Sequence, residues 1–268
     1  MALSNFHTHT EFCDGKSCAE EMTERAVELG FSELGFSSHS PLDGEDWCLT
    51  PENFAKYADT VLSLKERYCE KTKIFLGIEQ DFMSEKINLP FEYIIGSVHS
   101  VETHDGERFV DISLDGVLET IDKYFGGDAY TYAEAYYDRV GYVVAKTGCD
   151  IIGHFDLVTK YIEKVPYLSE DHPRYIAAQD KALDKLLSTN AVFEVNTGAI
   201  ARGHRTTPYP NARVLQRLRE AGKAVVVNSD CHHKDKLDMG IVRATRMMES
   251  LSITTLTTLD EILAISRK

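Results

Sequence analysis

Apolar runs of strand length alternate with amphipathic stretches along almost the whole chain. The runs are LSNFHTH (3–9), ELGFSSH (33–39), IFLGIEQD (74–81), YIIGSVH (93–99), DIIGHFD (150–156), AVFEVNTG (191–198) and AVVVNSDCHH (224–233). Between them lie segments with helix-start chemistry. Ser17-x-x-Glu20 reads as a capping box opening SCAEEMTERAVELG, and Thr50-Pro51 places a proline in the first turn of TPENFAKYADTVLSLKERY. Amphipathic patterns near 114–124, 129–147, 173–189 and 211–221 predict further helices, with a last one after Thr257. The polar stretch ETHDGER (102–108) reads as a loop. Seven strands alternating with helices predict a parallel α/β architecture, either an open sheet or a closed barrel. No fixed-period repeat, low-complexity tract or Pro/Gly/Ser linker interrupts the pattern, so residues 1–268 are expected to form one domain.

The polar residues within these runs are more informative than the runs themselves. His7 and His9, His39, Glu79, His99, His154, Glu194 and Asn196, and Asp230 and His232 each fall in the C-terminal part of a run or just past it. His7 and His9, at i and i+2 of an extended segment, face the same side. In α/β barrels and open α/β sheets alike, the C-terminal edge of the strands is where active sites are built. Histidines scattered over a surface would not sort this way. Core histidines need only one hydrogen-bond partner each and no common edge.

Composition narrows the function classes. At 268 residues, 43% hydrophobic and 27% charged, the chain is ordinary for a globular protein and large enough for a substantial core. Its 29 basic against 43 acidic residues, a net charge of −14, disfavour non-specific nucleic-acid binding. Bound divalent cations would still reverse the sign inside a pocket and admit an anionic substrate. No apolar run approaches the length of a membrane span, and no basic region followed by an apolar stretch marks a signal peptide. The six cysteines (Cys13, Cys18, Cys48, Cys69, Cys149, Cys231) are scattered without a Cys-x-x-Cys pair, as expected of reduced thiols in the cytoplasm, most of them small buried hydrophobes.

Together with Asp14, the six histidines, Glu79 and Asp230 make a set of six histidines, two aspartates and one glutamate that mixes nitrogen and oxygen donors, which suits zinc, iron or manganese better than calcium or magnesium. Nine donors exceed what one ion uses, so two or three divalent ions are implied. Paired metals share a bridging carboxylate, hold a hydroxide nucleophile at neutral pH and act as Lewis acid and clamp on the attacked group. The chemistry is hydrolysis, of a phosphate ester or of an amide or lactone. With no Gly-x-Ser-x-Gly elbow and no P-loop, a serine nucleophile and a nucleotide switch have no support. Lys160, six residues past His154, and Arg202 and Arg205, shortly past Asn196, are cations that follow strand ends. An ammonium and a forked guanidinium facing the metals would suit a phosphate monoester. His204 and His233 neighbour candidate residues and could protonate a leaving group, with His233 also a candidate phosphate contact. His104, in the polar stretch, and His172, before a proline at a helix start, read as structural.

Taken in order, FHTHT with Asp14, SSHSPL, GIEQDF, IGSVHS, IIGHFDL and NSDCH resemble the motifs of the PHP superfamily, named for polymerase and histidinol phosphatase, through essentially the whole chain. The long helical insert after His39 (WCLTPENFAKYADTVLSLKERY), GIEQDF and EVNTGAIARG most resemble the monofunctional histidinol-phosphate phosphatases. The resemblance implies a distorted seven-stranded (β/α)7 TIM-like barrel with three metals at the C-terminal ends of its strands. It implies that His7, His9, Glu79 and Asp230 bind one ion, and that Glu79 bridges to a second held by His99 and His154. Asp14, His39 and His232 would hold the third. Glu79, Asp230, Arg202 and Lys160 are then the expected catalytic residues, and Arg202, Lys160, Arg205 and His233 the expected phosphate contacts. Cys231 departs from the family, whose members usually carry alanine there, and puts oxidant tolerance at that position in doubt. The expected activity is hydrolysis of a small phosphate monoester, L-histidinol phosphate, to L-histidinol and phosphate by a metal-bridged hydroxide. The alternatives are a PHP-type phosphoesterase acting on nucleotides or oligonucleotides, a metal-dependent amide or lactone hydrolase, and a catalytically silent metal-binding protein. A complete ligand set counts against the last, and the net charge of −14 counts against long nucleic acid.

Overall fold

The computed structural model describes residues 3–87 and 90–268. The chain runs β1 (Leu3–Asn5), α1 (Ala19–Leu29), β2 (Phe31–Phe36), α2 (Pro51–Arg67), β3 (Lys73–Asp81) and β4 (Tyr93–Ser97), then a hairpin of β5 (Ser100–Thr103) and β6 (Gly106–Phe109). It continues through α3 (Leu114–Phe125), α4 (Ala129–Val140), α5 (Val143–Thr147), β7 (Ile151–Ile152), α6 (Pro173–Leu187), β8 (Val192–Asn196) and the short α7 (Gly198–Ala201). The last part is α8 (Ala212–Glu220), β9 (Val225–Asn228), α9 (Ile241–Ser250), β10 (Thr255–Leu256) and α10 (Leu259–Ser266). No helix among the described residues is long and apolar enough to cross a membrane.

The main sheet has the order β1-β2-β3-β4-β7-β8-β9-β10, with every neighbouring pair parallel. It curls into a distorted barrel. The segments that follow β1 and β9 close it, His9 N donating to Cys231 O at 2.8 Å and Cys231 N to His7 O at 3.1 Å. The sheet has eight strands rather than the expected seven. The extra one is β10, whose Thr255 and Leu256 pair with Val225 and Val226 of β9, a strand too short to leave a periodic signal.

Three local expectations change. The box that opens α1 is set one residue later. Cys18 Sγ accepts from Glu21 N at 3.5 Å and the Glu21 carboxylate accepts from Cys18 N at 3.1 Å, while Ser17 Oγ accepts from Lys234 N at 3.1 Å and ties this loop to the one after β9. The 129–147 segment breaks at Gly141–Tyr142 into α4 and α5. The stretch expected as a loop, 102–108, lies within the β5–β6 hairpin, Val101 opposite Arg108 and Glu102 opposite Glu107. Its turn relies on Gly106 at φ 96°. Thr50, in contrast, caps α2 as expected, accepting from Asn53 N at 3.2 Å.

Two apolar cores result. The larger lies between sheet and helices, and the smaller fills the barrel with Phe6, Tyr93, Ile95, Ile151, Val192 and Val226, closed below by Leu259 and Ile262 of α10. Tyr93 organises this smaller core. Its hydroxyl lies 2.6 Å from Phe6 O and 3.1 Å from Phe36 O, and its ring occupies space that a side chain at Gly35 or Gly77 would need. A Cβ at Gly77 would sit 2.3 Å from the ring, so β2 and β3 carry glycine where the tyrosine crosses them. Gly77→Ala is expected to lower the unfolding free energy by about 1–3 kcal/mol through overpacking, measured by urea denaturation.

Candidate metal centre

Each candidate donor reaches the same rim for a local reason. Thr8, between His7 and His9, turns outward and donates its hydroxyl to Gly35 O at 2.6 Å, which leaves both imidazoles on the opposite face. The next turn is tight. Gly15 N donates to Thr10 O at 3.1 Å, and a Cβ at Gly15 would lie 2.5 Å from Thr10 N, so glycine is required where the chain folds Asp14 back toward His9. His39, just past β2, forms a parallel backbone bridge with Glu79 in β3. His99, His154 and the Asp230/His232 pair lie just past β4, β7 and β9. Asp230 takes a left-handed φ of 49°, uncommon outside glycine and frequent at functional sites. Arg202 holds it there, with Nη2 2.8 Å from Asp230 Oδ2 and Nη1 3.1 Å from its carbonyl.

All nine expected ligands converge. Glu79 is central: its Oε1 lies 2.9 Å from His154 Nε2, 3.3 Å from His7 Nε2 and 3.5 Å from His99 Nε2. Its Oε2 lies 2.7 Å from His39 Nδ1 and 3.6 Å from His9 Nε2. Asp230 Oδ1 is 3.3 Å from His9 Nε2, and Asp14 approaches His39 and His232 at 3.6 and 3.1 Å. Four overlapping sets each gather their donor atoms within 4.8 Å: His9–Asp14–His39–His232, His7–His9–Asp230, His7–Glu79–His154 and His39–Glu79–His99. The residues fit a metal cluster by a physical criterion. His7 Nε2, His9 Nε2 and Asp14 Oδ1 are buried without a hydrogen-bond partner among the described residues, and His39 Nδ1 and Glu79 Oε2, though 2.7 Å apart, are not aligned for a hydrogen bond. Each such atom costs about 1–3 kcal/mol when unsatisfied, and shared cations would satisfy them together.

A second layer of carboxylates aims the ligands. Glu194 Oε1 lies 2.7 Å from His7 Nδ1, and Asp81 Oδ2 lies 2.8 Å from His99 Nδ1, so Nε2 of each ring is turned toward Glu79. Fixing one ring nitrogen sets the tautomer at the other. Glu194 also accepts from His154 N at 2.8 Å and from the amides of Asn196 and Asn228, both at 2.9 Å. The sequence placed Glu194 and Asn196 on the right edge but gave them no role, and passed over Asp81. The available signal was an acid within an otherwise apolar strand. Burial opposes every charge in this centre. The imidazoles of His7, His39 and His99 nevertheless hold Glu79 well below the usual carboxylate range, and Arg202 with His7 does the same for Asp230. Burial, then His232 and His39, pushes His9 down to about 3, so its imidazole is neutral.

The centre opens into a cleft of about 410 Å³ whose lining includes Lys16, Trp47, Phe109, Asp111, Ile112 and Leu157, to none of which the sequence assigned a role. Arg202 and Lys160 line it as expected, but the Lys160 ammonium is tied to Asp111, donating to its carbonyl at 2.9 Å and lying 3.1 Å from its carboxylate. Arg205 and His233 are not among the described residues lining the cleft. Arg205 turns away to Thr159, donating to its hydroxyl and, at 3.1 Å, to its carbonyl, with Glu170 3.5 Å distant. His233, its side chain 46% exposed, accepts from Asp235 N at 3.2 Å and caps the short turn that follows. His204 packs edge-on against Tyr161, ring centroids 5.0 Å apart. Burial, then Lys164 and Lys160, pushes it down to about 4, so at neutral pH it lacks the proton a general acid would give. His172 caps α6 through Nδ1, the structural role expected of it.

The PHP domain family model matches residues 5–198, which contain His7, His9, Asp14, His39, Glu79, His99 and His154. The chain belongs to the PHP domain family. Asp230 and His232 lie beyond the matched segment, and the closure of the barrel brings them to it. This PHP chain is 23% identical over 97% of its length to the Schizosaccharomyces pombe protein named "Probable histidinol-phosphatase", covering 90% of that protein. It is 24% identical over 87% of its length to the histidinol-phosphatase of Bacillus subtilis, covering 94% of it. In fold it resembles the histidinol phosphate phosphatase of Lactococcus lactis solved with zinc, L-histidinol and phosphate. That match has a TM-score of 0.66 at 18% identity and covers 94% of this chain and 95% of the other.

Two outcomes follow from this arrangement. Glu194→Gln keeps the shape but weakens the hold on His7, and is expected to lower metal affinity by about 10–100-fold in a chelator competition titration. Cys231 is 2% exposed, its thiol donates to His233 O at 2.9 Å, and burial pushes its pKa up to about 12. Iodoacetamide is therefore expected to label the exposed Cys69 well before Cys231, as read by peptide mass spectrometry, which bears on the oxidant sensitivity the sequence raised.

Proposed function

We propose that this PHP protein is a metal-dependent phosphomonoesterase that hydrolyses L-histidinol phosphate to L-histidinol and phosphate. One observation carries the reading: nine ligand-type side chains converge on one rim, with buried donor atoms unsatisfied, beside an arginine that borders the same cleft. The names of the curated relatives support the substrate. Zinc is our first choice of metal, since the Lactococcus lactis protein was solved with it; iron and manganese suit the same donor set. All six cysteines are unpaired, in keeping with a reducing cytoplasm.

In this reading His7, His9, Glu79 and Asp230 hold one ion, Glu79 shares a second with His99 and His154, and Asp14, His39 and His232 hold the third. Divalent ions in such a set supply a nucleophile from water at neutral pH and neutralise charge on the phosphoryl group. Glu79, kept ionised, binds and spaces the ligands around it. Glu194 and Asp81 keep Nε2 of His7 and His99 turned inward. Arg202 spans Asp230 and His232, the latter at 3.2 Å, and presents a fixed, forked charge to the phosphoryl oxygens. Lys160 adds positive charge from the cleft wall while anchored to Asp111. Arg205 and His233 are left out of the phosphate site on geometric grounds.

Purified, metal-loaded protein is expected to prefer histidinol phosphate over nucleoside monophosphates, short single strands and lactones, and to lose activity on chelation. His9→Ala and Glu79→Ala are each expected to lower turnover by more than about a hundredfold, beyond the loss that outer partners cause. Phosphatase activity undiminished in both variants would overturn the proposal.

A further inference from the structure

We propose that Asp111 is a specificity-determining residue: its carboxylate receives the ammonium group of the substrate while the phosphate lies toward Arg202 and the metal ligands. This rests on the histidinol-phosphate reading. Among the described residues lining the cleft, Asp111 is the one carboxylate outside the metal set. A fixed negative charge in a cleft built for phosphate weakens the binding of a simple phosphate ester. It favours an ester that brings its own cation. Histidinol phosphate does so, carrying an amino group a few bonds from the ester oxygen.

Asp111 is placed rather than merely exposed. It lies two residues past the end of β6, where the β5–β6 hairpin leads toward α3. Tyr161 donates its hydroxyl to the Asp111 carbonyl at 2.6 Å, and Lys160 donates to the same carbonyl and approaches Oδ2 at 3.1 Å. One carboxylate oxygen is thus engaged, while Oδ1 makes no hydrogen bond among the described residues. Lys160 also lowers the electrostatic barrier to the incoming phosphate, so the pair admits a zwitterion better than either charge alone. The neighbours complete a site for a flat heteroaromatic ring. Phe109 and Ile112 flank Asp111 along the chain, Ile112 is 68% exposed at the mouth, and Trp47 meets the Phe109 ring edge-on with centroids 5.4 Å apart.

The test compares metal-loaded wild type with Asp111→Asn and Asp111→Glu on three esters: histidinol phosphate, its deamino analogue 3-(imidazol-4-yl)propyl phosphate, and 4-nitrophenyl phosphate. Asp111→Asn is expected to lower kcat/KM for histidinol phosphate by at least about tenfold, chiefly through KM. Its preference for histidinol phosphate over the deamino analogue should shrink to within about twofold, with partial recovery in Asp111→Glu. Equal loss on all three esters would make Asp111 a structural support. Equal gain would make it a brake on Lys160. Either result overturns the inference, as would a wild type that does not distinguish histidinol phosphate from the deamino analogue, a comparison that needs no variant to fold. A wild type with no preference for histidinol phosphate over 4-nitrophenyl phosphate defeats the functional reading as well, whereas an intact preference with an unmoved ratio in Asp111→Asn defeats this inference alone.

Discussion

A carboxylate taken out of water stays ionised only if positive charge is gathered around it, and Glu79 imposes that condition on this fold. It sits near the C-terminal end of β3, with imidazoles from the residues just past β1, β2, β4 and β7 within 3.6 Å of its oxygens. Those strands must therefore be held in a register that aligns their C-terminal ends. The parallel pairing of β2, β3 and β4 does this, and the backbone bridge between His39 and Glu79 fixes the point where two donors meet. Burying this much charge without compensation would destabilise the rim, which is why the cluster reads as a cation site.

The barrel divides along its strands. In β3 the barrel-facing positions pass from Gly77, against the Tyr93 ring, to Glu79 two residues later. Below that level the interior is apolar and closed by α10; above it the interior is polar. Tyr93, Gly35 and Gly77 mark the boundary, and the outer acids Glu194 and Asp81 lie just above it. Rigid packing beneath lets the rim hold its donors in place, because a site on strand ends inherits the precision of the core that spaces them.

The cations show why position along the chain is a weak guide to role. Lys160, Arg202 and Arg205 all follow strand ends, yet Arg202 faces the metal ligands, Lys160 is held by Asp111, and Arg205 braces Thr159 and Glu170. Long side chains reach several ångströms in any direction, so their targets depend on neighbours brought in from elsewhere. Imidazoles on short stems at strand ends have far less choice.

Pattern alone determined that strands and helices alternate, that the strands are parallel and that His7, His9, His39, Glu79, His99, His154 and Asp230 share an edge. Period-2 geometry and parallel connection are local rules, and an ordered set of motifs survives in a string. The tertiary structure decided the rest. β10 is two residues long and exists because β9 offers an edge; the β5–β6 hairpin depends on Gly106 and on packing around Val101; the cap of α1 moves to Cys18 because Ser17 is engaged by Lys234. Glu194 and Asp81 acquire their roles from the rings they touch, and Asp111 and Trp47 from the cleft they line. These are contacts between residues far apart in the chain, and no local rule encodes which partner a polar group will find once the backbone has brought the strands together.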